Sequence, residues 1–81
     1  MDKASRVRLQ IRVVLVVFRA EMARLDRWTS TEAEREVFTR ALRGRSYRIL
    51  DLAQADLDGD APEHRDLVRE LDVARAEVRA G

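Results

Sequence analysis

The sequence predicts an all-α fold, an antiparallel three-helix bundle, and three observations carry that prediction. Apolar residues recur three and four positions apart in three successive stretches, the spacing of one face of a helix. Two boundaries rich in capping residues, 29–34 and 58–63, separate the stretches. The chain of 81 residues contains no cysteine and one histidine, so disulfides and the tightest zinc sites are not available to stabilise it. A single small domain of this kind must rely on regular helix packing or on oligomerisation.

The first helix is expected from about Lys3 to Trp28. Its start is ambiguous, because polar and apolar residues alternate from Arg6 to Val13 and many are β-branched, as in a half-buried strand. The helical reading is the more continuous one. Val7, Ile11, Val14, Phe18, Met22 and Leu25 fall on one face, residues 19–28 have high helix propensity, and no Gly or Pro intervenes. Such a helix is ~39 Å long.

Thr29, Ser30 and Thr31 each offer an N-cap for a second helix over residues 31–58, and Thr29 with Glu32 or Thr31 with Glu34 has capping-box spacing. Glu32, Glu34 and Glu36 suit the positive end of the helix dipole, and Glu36 and Arg40 form an i,i+4 pair. The expected inner face is Phe38, Leu42, Ile49, Ala53 and Leu57, widened by Val37, Ala41 and Leu50. Gly44 costs about 1 kcal/mol relative to Ala inside a helix. The apolar stripe keeps its phase across it, so one helix is expected there, with a bend allowed.

Gly59, Asp60, Pro62 and Glu63 read as a helix stop, an N-cap, a first-turn proline and a capping-box partner. They open a third helix over residues 61–80, with Leu67, Leu71, Ala74 and Val78 as a narrow stripe and Val68 and Val73 beside it.

Charge is dense and nearly balanced, with 16 basic and 15 acidic side chains. The balance hides a gradient: residues 1–30 carry a net of +4, residues 31–59 a net of −1 and residues 60–81 a net of −2. Fifteen of the cations are arginine, which with frequent alanine suggests GC-rich bacterial coding. The longest apolar run, Val13–Phe18, is too short for a signal-peptide core or a membrane span, so a soluble, cytoplasmic protein is expected.

No constellation here supports catalysis, and the expectation is a protein that is not an enzyme and carries no cofactor. The Asp56-Leu57-Asp58-Gly59-Asp60 run resembles the start of an EF-hand calcium loop. Ala61 stands where the loop needs glycine and Leu67 where it needs a bidentate glutamate, so a helix stop followed by a cap explains the run better. Arg40, Arg43, Arg45 and Arg48, with Tyr47 among them, are the candidate nucleic-acid-binding set. A break at Gly44 would make residues 46–57 a recognition helix, but their acidic and apolar content suits a major groove poorly. A solvated face, with Arg48 pairing to Asp51, is the simpler expectation. His64 lies beside Glu63 with no Cys, Ser or second His near it. Trp28 is expected to plug the end of the bundle.

One surplus remains. On a helical wheel the first helix has two apolar sectors, the inner one above and a second of Leu9, Val13, Val16, Val17 and Ala20 on the opposite side. An outer helix of a small bundle needs one apolar face. The second sector is therefore the candidate partner-binding face, against an identical subunit or another helical protein, with a two-fold dimer as the simplest assembly. The expected function is a small interaction or regulatory module acting through helix–helix contacts. The alternative is a nucleic-acid-binding regulator using the N-terminal arginines and the Arg40–Arg48 patch.

Overall fold

A computed structural model describes residues 2–57 and 61–81, and they form α1 (Lys3–Trp28), α2 (Glu32–Ala55) and α3 (Pro62–Ala80). Residues 6–18 are helical throughout, and no strand occurs among the described residues. Asp2 caps α1, its carboxylate accepting from the Ser5 N–H at 2.7 Å. Thr29 closes that helix rather than opening the next. Both its N–H (3.0 Å) and its hydroxyl (2.6 Å) donate to the Leu25 carbonyl, one of the orphan acceptors of a helix end. Thr31 takes the N-cap of α2, accepting from the Glu34 N–H at 3.1 Å and donating its hydroxyl to the Glu34 carboxylate.

Two boundaries differ from expectation. The second helix stops at Ala55, with Asp56 as its cap, three positions short of residue 58. The third starts at Pro62 with Ala61, not Asp60, in the N-cap position and no side-chain cap bond. A proline in the first turn is preorganised and has no N–H to satisfy, which lessens the need for a cap. The expected roles of Asp58, Gly59 and Asp60, including the possible cation turn, lie outside the described residues.

Helix α2 passes through Gly44 unbroken, so residues 46–57 are not a separate recognition helix. A Cβ built at Gly44 meets no atom within 4 Å. Gly44→Ala should therefore raise stability by about 0.5–1 kcal/mol through helix propensity and a less mobile unfolded chain. Urea unfolding followed by circular dichroism reads this, and a loss of stability would contradict the open setting of this residue.

The core is a single cluster. From α1 it takes Val7, Ile11, Val14 and Phe18, from α2 Leu42, Leu50 and Ala53, and from α3 Leu67, Leu71, Ala74 and Val78. The inner faces of α1 and α3 are those the spacing predicts. That of α2 is rotated: Thr39 and Ser46 are buried, while Phe38, Val37 and Ile49 are exposed. Small hydroxyl side chains let a helix approach its neighbours closely, and no buried side-chain N or O among the described residues lacks a partner. His64 is also buried.

All three helix pairs touch. Asp26 and Arg35 pair across the α1–α2 turn, and Leu9 and Val13 lie beside Ser46 and Ile49, so those two helices meet in reverse order. Asp51 with Arg75 at 2.8 Å, and Arg43 with the Val78 carbonyl at 3.2 Å, give the same order for α2 and α3. The expected Arg48–Asp51 pair is replaced by this contact: Asp51 lies on the α3 side of α2, where Arg75 reaches it. By contrast Arg8–Glu70 and Arg19–Glu77 join α1 and α3 in the same order. The bundle is elongated, 47 × 19 × 15 Å.

The third helix is the shortest, with 19 residues against 26 and 24. It stops beside Phe18 and Met22: Gly81 lies against the Phe18 ring and shares a cavity wall with Met22. Trp28 is no plug. It is 75% exposed, one turn past Leu25, and no buried residue of α2 precedes Thr39 to cover it.

The Arg19 guanidinium donates twice to the Glu77 carboxylate, at 2.6 and 2.8 Å, and these bonds hold that carboxyl below its ordinary value of 4.5. A carboxyl depressed in the folded state adds stability that is present above 4.5 and is lost as the pH falls through the lower, folded value. Some 36% of Glu77 and 61% of Arg19 stay accessible, so solvent screens the pair. Its contribution is correspondingly small. Thermal melts should show a shallower acid fall for Glu77→Gln than for the unsubstituted chain below pH 4.5. Parallel curves would remove the pair from the pH dependence.

Candidate interaction surface

The exposed sector of α1 is built by the same periodicity that builds the core. With Val7, Ile11, Val14 and Phe18 committed inward, a helix of 3.6 residues per turn must turn Leu9, Val13, Val16, Val17 and Ala20 outward. All five are exposed, and the four larger ones retain 49%, 51%, 62% and 41% of their accessibility. Neither α2 nor α3 wraps far enough to cover them.

Helix α2 extends this surface. Leu9, Val13 and Val17 line a shallow groove of about 260 Å³ with Ser46 and Ile49, and Arg45 sits at its edge. A second cavity continues along the same helix pair, lined by Glu21, Leu25, Phe38, Ala41, Leu42 and Arg45. Phe38, Ile49 and Leu52 are exposed, so the apolar surface spans both helices on one broad side of the bundle. These α2 residues are absent from the predicted partner-binding set. A signal for them exists: Phe38, Ala41, Arg45, Ile49 and Leu52 are spaced 3, 4, 4 and 3, a second stripe like that of α1.

The four candidate nucleic-acid-binding arginines point in different directions. Arg40 reaches Glu36 at 3.5 Å, and Arg43 donates to the Val78 carbonyl, one of the orphan acceptors at the end of α3. Both line the cavity that holds Met22 and Gly81, away from the apolar groove. Arg45 borders the groove, and Arg48 is exposed. Among the described residues no three His, Cys, Asp or Glu side chains converge as a metal site, and no helix is long and apolar enough to cross a membrane.

Comparison with protein-family models, with curated proteins and with solved structures finds no match for this chain.

Proposed function

We propose that this chain is a small helical interaction module, of regulatory or assembly type, that works by helix–helix contact and associates with itself through α1. The carrying observation is the exposed sector Leu9, Val13, Val16, Val17 and Ala20, roughly opposite the buried face of the same helix. Single exposed aliphatics are ordinary on protein surfaces, but a contiguous patch on the order of several hundred Å² marks a contact site. A small core also gains stability when a second copy extends it.

The nucleic-acid alternative has weaker support, because Arg40 and Arg43 are engaged within the chain and the overall charge is close to zero. Light scattering and sedimentation from micromolar to submillimolar protein test the reading. The expected result is a mass of at least twice the chain at the upper concentrations. A monomer mass throughout, joined to a salt-sensitive mobility shift with DNA or RNA, would replace this reading with the alternative.

A further inference from the structure

The way the charges are distributed on the exposed side selects an arrangement for the partner, provided that the self-association just proposed holds. On a wheel at 100° per residue, Arg6, Leu9, Val13, Val16, Ala20, Arg24 and Arg27 fall within an arc of about 80° on α1. That stripe is basic at both ends and aliphatic between them. On α2, Glu34, Phe38, Ala41, Arg45, Ile49, Leu52 and Asp56 also fall within about 80°. That stripe is acidic at both ends and mainly apolar between them. The end charges are exposed. Arg6, Arg27 and Asp56 make no ion pair with any described residue, and Arg24 reaches only Glu21, one turn away on its own helix at 3.4 Å.

We propose that the occupant of this side is a second copy of the chain, related by a two-fold axis that runs along the bundle. Two face-to-face arrangements are open to a closed dimer. An axis across the helices lays α1 on α1 in reverse direction. Arg6 then meets Arg24 and Arg27 of the other copy, and Glu34 meets Asp56, so every end contact is between like charges. An axis along the helices lays α1 of each copy on α2 of the other. Because α1 and α2 meet in reverse order, the start of α1 is level with the end of α2. Arg6 then faces Asp56 and the Arg24–Arg27 end faces Glu34, once in each half of the dimer. The aliphatic middles stack between these contacts as a layer of four helices.

Charges of this kind set register and exclude wrong pairings more than they add affinity. Arg45 is the one cation in the middle of the α2 stripe, and Glu21 of its own chain lines the same cavity, so a counter-charge is at hand when water leaves. An anionic membrane or a nucleic acid fits this side less well, since the acidic ends of α2 would repel it.

The test is a charge-swap pair, Arg6→Glu with Arg27→Glu in one protein and Glu34→Arg with Asp56→Arg in another. Each alone should dimerise about tenfold or more weakly than the unsubstituted chain, and a 1:1 mixture should recover the dimer. Circular dichroism checks that both remain helical, and native mass spectrometry counts the mixed species. If either variant dimerises as well as the unsubstituted chain, or the mixture fails to recover, the arrangement is overturned while self-association stands. A monomeric unsubstituted chain would overturn both.

Should a charge variant fail to fold, the absence of cysteine offers a second measurement. A protein with Leu9→Cys mixed with one carrying Leu52→Cys should form the mixed disulfide faster than either forms its own. Faster self-coupling of Leu9→Cys would overturn the arrangement.

Discussion

Replacing Val13 and Val16 together by aspartate should abolish association and leave the three helices folded. Within one chain these side chains are 51% and 62% exposed, so the single bundle loses little when they become polar. Asp and Val have similar helix propensities, and the new carboxylates lie on the most basic third of the chain. In an assembly the same positions lie under a partner. Each substitution there removes an aliphatic contact and buries a charge, and Arg45 is the single cation in the middle of the α2 stripe to meet the two new carboxylates. Two such losses at about 1.5–3 kcal/mol each weaken association by on the order of 10²–10⁴-fold. Light scattering should therefore show a monomer mass where the unsubstituted chain is associated, with an unchanged helical spectrum. An unchanged mass would remove this face from the interface, and a collapsed helical signal would make it part of the fold instead.

Leu71→Ala should be the most damaging single substitution to the fold. Leu71 is fully buried at the centre of the α3 stripe, between Leu67 and Ala74 of the shared core. Truncating it forfeits its transfer free energy and leaves a cavity among side chains of all three helices, at a cost of about 2–5 kcal/mol. A domain of this length has only about 4–12 kcal/mol in total. Urea unfolding at matched protein concentration should show the midpoint fall by a large fraction, since association also shifts the apparent stability. Leu71→Met, which nearly conserves volume, should cost less than about 1.5 kcal/mol. Equal losses for the two variants would show that packing at this position is not what holds α3.

Much of this is legible in the sequence, and the reason is specific. In α1 every core position is a large apolar residue, so Val7, Ile11, Val14 and Phe18 mark the inner face and leave the other sector plainly surplus. In α3 the narrow stripe from Leu67 to Val78 admits a single phase. In α2 apolar residues spread over a wide arc, and the true inner line passes through Thr39 and Ser46. Counting apolar residues favours Phe38 and Ile49, whereas packing favours side chains small enough to let α2 lie close to its neighbours. Trp28 misleads for a different reason: its place at a helix end suggests a plug, but periodicity says nothing about which side chains of the next helix lie level with it, and none before Thr39 is buried. The candidate surface inherits this pattern, its α1 half being readable from the wheel and its α2 half lost with the misplaced phase.

The uneven spread of buried side chains also divides the molecule mechanically. Around the α1–α2 turn no side chain between Leu25 and Thr39 is buried. Local opening of a protein follows its least-packed parts. The tip around Trp28 and Glu32 is therefore able to exchange its amide hydrogens through sub-global openings while the three-helix body, clamped by Leu50, Leu67 and Leu71, stays closed.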